Sequence, residues 1–177
     1  METGMIMIAV VLFTVILVPT LVLIQNTKKQ SKKLFNGLNA VVAQKNGVLS
    51  QHTEQYNFAL GIDKTHKTLY FFKKSEETET SQIIDLTDIK SCEIVSKTRR
   101  IKKDKGFDEM LETIHLEFIS KKSIEVVQLE LYNEAESLLT DELAIAENWK
   151  KIVQGVLSER NSVIEQKNEQ QVATAVA

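Results

Sequence analysis

The hydrophobic pattern of the chain begins with a long apolar stretch that has no polar stripe. Residues 5–24 are almost wholly apolar, and no charged residue occurs from Gly4 to Thr27. About twenty residues rising ~1.5 Å each are enough to cross ~30 Å of hydrocarbon. The pattern predicts a single-pass transmembrane anchor over residues 1–26.

The charges on the two sides of this stretch differ. Glu2 precedes it, where a cleaved signal peptide would carry basic residues, and no small-residue cleavage site follows it. By the positive-inside rule, the lysines after the stretch predict a cell-membrane protein with its N-terminus outside and its C-terminal domain in the cytoplasm. These lysines are Lys28, Lys29, Lys32 and Lys33.

Residues 27–46 show the spacing of an amphipathic helix that ends at Asn46-Gly47. Two interpretations of this segment remain open. It is either a basic helix lying on anionic lipid, where each lysine contributes about 1 kcal/mol, or a connector that packs its apolar edge on the following domain. That edge consists of Leu34, Leu38, Val41 and Val42.

From Tyr56 the apolar period changes from 3.6 to 2, which is typical of β-strands. Residues 56–62 predict a half-buried strand, a polar turn follows at residues 63–66, and residues 68–73 predict the returning strand of a hairpin. Further strands are predicted at residues 83–86 and 90–97. In the last of these, Cys92 and Ile94 share a face.

A second group of strands is predicted after a long polar loop. Ile114, Leu116 and Phe118 alternate with polar residues, and a turn over residues 120–123 leads to a return strand. Along that strand the apolar parity shifts between Val126 and Val127, which predicts a β-bulge and a strong bend.

The period becomes helical again after Asn133. The predicted helix carries a broad apolar stripe that includes Trp149, and either Thr140 or Asp141 could cap its N-terminus. Residues 159–177 are rich in Gln, Asn, Glu and Ala, and we expect a disordered tail there. One folded domain over residues 47–158 therefore lies between the connector and the tail.

Composition and charge narrow the classes of function. The net charge is −2, which gives no global basic field for nucleic acid, and a single cysteine rules out an intramolecular disulfide. The histidines show no metal-ligand spacing, and Cys92 falls on the inward face of its strand, where it would behave as a small hydrophobe. We therefore predict no enzyme, no catalytic residue, no metal site and no cofactor.

The densest charge cluster lies between the two groups of strands. It could bind lipid headgroups or an acidic protein segment, because guanidinium and ammonium groups pair with phosphate and carboxylate oxygens. The alternative is a solvated, mobile hairpin loop. No aromatic residues are interleaved, which argues against nucleic acid. The cluster is Lys97, Arg99, Arg100, Lys102, Lys103 and Lys105.

The order of these elements resembles the pleckstrin-homology-like (PH-like) domains of bacterial membrane-anchored proteins. The resemblance is carried by YNFALGIDKTHKTLYFFK, IIDLTDIKSCEIV and the helix ENWKKIVQGVL. It implies an α+β fold in which a transmembrane helix precedes a strongly bent antiparallel sheet. In the family this sheet forms a partly open barrel capped by a C-terminal helix, and Trp149 matches the structural tryptophan packed on the sheet.

The sequence thus leads to three hypotheses of function. The first is a non-enzymatic, membrane-tethered PH-like module that engages a protein partner, or supports assembly, at the cytoplasmic membrane face. An exposed sheet edge or a neighbouring groove would serve for this. The second is an anionic-lipid sensor that uses both basic clusters, and the third is an anchored enzyme.

Overall fold

The computed structural model describes residues 2–75, 78–103, 106–122 and 124–175. The chain has an α+β architecture with two antiparallel sheets, which have strand orders β1-β2-β3-β4 and β5-β6-β7. The elements are α1 (Glu2–Ala43), β1 (Gln51–Gln55), β2 (Phe58–Asp63), β3 (Thr68–Lys74), β4 (Glu79–Asp85), β5 (Ile89–Lys103), β6 (Gly106–Ser120), β7 (Val126–Asn133) and α2 (Glu142–Ala175).

The central strands of the first sheet (β1–β4) are buried on both faces. Leu60 and Phe71 belong to the main core between the two sheets. Ala59, Tyr70 and Phe72, on the opposite face, form a second core with α1. Every residue of β2 is therefore buried, so the prediction of a half-buried strand is wrong. The additional burial comes from a helix packed on the outer face.

The helix on that face is the C-terminal half of α1. Leu34, Leu38, Val41 and Val42 are all buried in the second core. At Gly37 the helix approaches the sheet closely, because a Cβ atom there would lie 2.3 Å from Cε1 of Phe72. The apolar edge of residues 27–46 is thus covered by the sheet, as in the connector interpretation.

The structure corrects the prediction of a transmembrane helix. Across the described residues, neither helix is long and apolar enough to cross a membrane. The side chains of residues 1–11, 20, 22–24 and 26 lie outside the description. The prediction of a single-pass anchor over residues 1–26 is therefore wrong.

The structure also corrects the prediction of a single bent sheet that closes into a partly open barrel. The structure has two sheets, and β4 and β5 are not paired within the described residues. The turn between these strands explains the separation. The Asp85 carboxylate accepts hydrogen bonds from the Thr87 N–H (2.8 Å) and hydroxyl (2.6 Å), which turns the chain out of the first sheet.

The predicted long loop between the groups of strands is instead a β-ribbon. Residues 97–103 of β5 pair with residues 106–113 of β6, and we call this pair of segments the ribbon. The register shift of the β6–β7 pair lies between Ile114 and His115, where β7 has Leu131 as an extra residue, rather than near Val127. Ile124 and Val126 are simply exposed, so the apparent change of parity was not produced by a bulge there.

The helix α2 packs on the second sheet (β5–β7). Ala146, Trp149 and Val153 are fully buried in the main core. At its start, the Asp141 carbonyl accepts the first helical hydrogen bond, from the Ile145 N–H at 2.9 Å. The helix continues to Ala175, so most of the segment expected to be disordered is helical.

Candidate functional site

The two predicted basic clusters lie on different layers of the fold. The lysines at residues 28–33 belong to α1, which packs on the first sheet, whereas the second cluster belongs to β5 of the other sheet. Lys105 and the side chain of Lys103 lie outside the described part of the chain. The structure therefore does not join the clusters into one basic surface.

Two lysines of the first cluster do line a cleft. It lies between α1, the β1–β2 turn, the end of β3 and the segment that follows β7, with a volume of about 910 Å³. A cleft of this size suits a ligand or a few side chains of a partner. The polar residues that line it include Lys29, Lys33, Tyr56, Asn57, Lys74 and Glu136.

A buried ion-pair network fixes one wall of the cleft. Lys73, at the end of β3, is only 7% exposed, and its Nζ lies 2.6 Å from Glu130 Oε1 and 2.8 Å from Glu136 Oε2. Asn57 Nδ2 donates to the same Glu136 oxygen at 3.2 Å. Lys73 balances only one of these two carboxylates, so the network keeps a net charge of −1, which offsets part of the positive potential of the lysines that line the cleft.

The opposite wall is cationic. Lys29 and Lys33 lie one helical turn apart on α1, and within the described residues neither makes an ion pair. Like charges at this spacing repel by about 0.2–0.5 kcal/mol, so an anion placed between them is favoured. Lys74, at the end of β3, also lines the cleft, and it pairs with Glu79 on the adjacent strand. Among the described residues that line the cleft, three lysines stand against the single carboxylate of Glu136, and this balance suits an anionic group.

Tyr56 divides this cleft from a smaller pocket of about 210 Å³, whose lining also includes Gln30 and Leu34. Gln30 Nε2 donates to the Tyr56 carbonyl oxygen at 2.9 Å, which ties α1 to the β1–β2 turn. The Tyr56 side chain is 61% exposed, although the sequence placed it within a strand. An exposed phenol ring beside a cationic cleft offers a partner both an apolar surface and a hydrogen-bonding group.

The second basic cluster lies along the ribbon rather than in a loop. Lys97, Arg99, Arg100 and Lys102 are exposed side chains of β5. Arg99 pairs with Glu134 at 2.5 Å, and Arg100 Nε lies 3.9 Å from Glu109 Oε1 on the neighbouring strand. The cations are therefore held on an extended backbone.

The residues considered for catalysis are not assembled. Burial of the Cys92 thiol, together with the nearby Glu93 carboxylate, raises the pKa of Cys92 to about 12, against a smaller opposing effect of Lys150. His66 instead bonds the Asp63 carboxylate at 2.7 Å, and His52 lies 3.4 Å from Glu54. No group of three potential metal ligands occurs within the residues searched, which are the described ones.

Sequence reasoning missed several of the cleft residues. Tyr56, Asn57, Lys74 and Glu136 come from three separate segments of the chain, and no local pattern connects them. A weak signal existed at Lys73-Lys74, because a pair of lysines at the end of an apolar strand places one side chain on each face.

No family model, curated protein or solved structure matches this chain.

Proposed function

We propose that this protein is a non-enzymatic binding module of the PH-like type, which engages an acidic segment of a partner protein through the cleft beside α1. The observation that carries the proposal is that Lys29, Lys33 and Lys74 all line one cleft of about 910 Å³. The element order, in which four strands are followed by three strands and a helix, is consistent with the PH-like resemblance.

The chemistry of the cleft supports binding rather than catalysis. Its lysines can hold carboxylates, and the described residues of its lining include no histidine or cysteine that could act as base or nucleophile. Cys92 is buried in the main core, so it does not reach the cleft. A partner bound here would be recognised by charge and by contact with Tyr56.

The decisive experiment uses two charge-reversal pairs on the same helix. In the first variant, Lys29→Glu and Lys33→Glu change the cleft wall. In the control, Lys28→Glu and Lys32→Glu change two exposed lysines of the same helix by the same charge and at the same spacing, and neither lines the cleft. Affinity for a glutamate-rich peptide is measured by fluorescence anisotropy at two salt concentrations.

We expect the cleft variant to weaken binding by at least about tenfold, whereas the control stays within about threefold of the unaltered protein. Equal losses in the two variants would show non-specific attraction to the helix and would overturn the cleft proposal. No binding by the unaltered protein would overturn it as well.

A second candidate function is the binding of anionic lipid headgroups. It is favoured by one observation, namely that Lys28, Lys29, Lys32 and Lys33 are all exposed on α1. Vesicles of anionic phospholipid, compared with neutral vesicles, test it directly. On a flat membrane surface both lysine pairs would contribute, so equal loss of vesicle binding in the two variants would support the lipid function.

A further inference from the structure

Charge is segregated between the two strands of the ribbon. The cationic side chains Lys97, Arg99, Arg100 and Lys102 are all on β5, whereas Asp108, Glu109 and Glu112 are on β6. In the register of this pair, Arg100 lies opposite Glu109, and Ile101 lies opposite Asp108. The ribbon is therefore an acidic strand paired with a basic strand.

The basic strand forms one of the two open edges of the ribbon, since β7 pairs with β6 only from Thr113 onward. In the order β5-β6-β7, only one edge of β5 is paired, and no strand in the described part of the chain pairs with its other edge. The helix α2 reaches β5 near the core, where Lys150 contacts Glu93 at 2.5 Å. Residues 97–100 and 102 are exposed, so the ribbon presents backbone N–H and C=O groups beside cationic side chains.

We propose that this edge of β5, over residues 97–103, accepts an extended acidic segment of a partner protein as an additional strand. The strand β6 gives an example of this chemistry on the paired side, since it places the Glu109 carboxylate beside Arg100 of β5. An acidic segment on the open edge of β5 repeats this arrangement. Its main-chain hydrogen bonds would provide affinity, and its carboxylates would give the preference for acidic over neutral or basic segments.

Pairing of the β5 edges of two copies with each other is disfavoured by the same charges. If two β5 edges paired with each other, Arg and Lys side chains of both copies would lie side by side, which is destabilising in cross-strand pairs. The apolar residues of the ribbon suit a partner segment that contains both acidic and apolar side chains. Phe107 is 72% exposed opposite Lys102, and Met110 is exposed opposite Arg99.

This surface is independent of the cleft proposed above. The ribbon belongs to the second sheet, whereas the lysine wall of the cleft belongs to α1 on the first. Loss of one binding activity would leave the other intact, so the two proposals can fail separately.

The test uses the full chain and a synthetic peptide in which glutamate alternates with valine. Two modified peptides carry N-methyl groups on alternate residues, one on the odd positions and one on the even positions. A strand added to an edge uses the N–H groups of only one of these sets. We expect one modified peptide to bind like the parent and the other to lose at least about tenfold in affinity.

The charge requirement is tested with Arg100→Gln and Lys102→Gln together, which should weaken binding of the parent peptide by about tenfold. The matched control is Lys45→Gln with Lys90→Gln, because both lysines are exposed and lie outside the ribbon. Unchanged amide hydrogen exchange in β6 shows that the ribbon remains folded in the variant.

Three outcomes would overturn the proposal. They are equal binding of the two N-methylated peptides, equal weakening by the control pair, and concentration-dependent dimerisation that depends on Arg100 and Lys102. Binding of anionic vesicles or single-stranded nucleic acid in preference to the peptide would likewise assign this surface to another ligand.

Discussion

The ring of Phe72 occupies the space that a side chain at Gly37 would need. A Cβ atom at Gly37 would lie 2.3 Å from Cε1 and 2.5 Å from Cζ of this ring, and both residues lie at the contact between α1 and β3. The absence of a side chain at residue 37 therefore sets how closely the helix approaches the sheet.

We expect Gly37→Ala to destabilise the protein by about 1–3 kcal/mol, because the ring or the helix must shift. Gly155→Ala is the matched control, since it also lies within a helix but its Cβ would meet nothing within 4 Å. That change should stabilise the protein by up to about 1 kcal/mol through helix propensity. Urea denaturation measures both, and equal effects would contradict the close contact.

The Asp63 carboxylate should make stability depend on acidic pH. Burial alone would raise the pKa of Asp63, but hydrogen bonds from the Val48 N–H (2.8 Å) and from His66 outweigh it and lower the pKa to about 2. Because the folded pKa is below the ordinary 3.8, this contribution to stability is full above that value and is lost as the pH falls towards about 2.

The measurement is the free energy of unfolding as a function of pH, for the unaltered protein and for Asp63→Asn. We expect the unaltered protein to lose more stability across this acidic range than the variant, which lacks the titrating group. Parallel curves for the two proteins would contradict the assigned pKa.

Removal of the Lys73 ammonium group should be costly. Lys73→Met leaves Glu130 and Glu136 close together without their cation, and we expect a loss of about 1–3 kcal/mol because both carboxylates are partly exposed. Lys74→Met provides the control, because its pair with Glu79 is exposed and should contribute less than about 1 kcal/mol. Thermal unfolding of the two variants, compared at the same pH, would reveal a similar loss if the network were unimportant.

Cys92 should be unreactive in the folded protein. Its thiol is fully buried, and burial raises the pKa of Cys92 to about 12, so very little thiolate exists at neutral pH. We expect iodoacetamide to label the chain only when denaturant unfolds it. Rapid labelling under native conditions, followed by mass spectrometry, would instead show that this part of β5 opens easily.

Regular patterns in the sequence predicted those elements in which one face meets the core and the other meets solvent. Ile114, Leu116 and Phe118 alternate in this way, and all three are fully buried. The strand β1 was missed because its residues, QHTEQ, include no apolar side chain and join the sheet through the backbone. The ribbon was missed for a related reason, since neither of its faces packs on a core over most of its length.

The cleft could not be predicted because it depends on distant contacts. Lys29 and Lys33 were identified as cations, but their position opposite Asn57 and Glu136 arises only when α1 packs on the first sheet. Trp149 was easier to place, because the helical stripe that contains it identifies the buried face of α2.

The second core also determines where the chain can be divided. A version beginning at residue 47 would lack Leu34, Leu38, Val41 and Val42, and would leave Tyr70 and Phe72 uncovered on the outer face of the first sheet. Such an apolar sheet surface favours aggregation. A version that keeps this face covered must therefore begin before Leu34, so the second half of α1 is an integral layer of the domain.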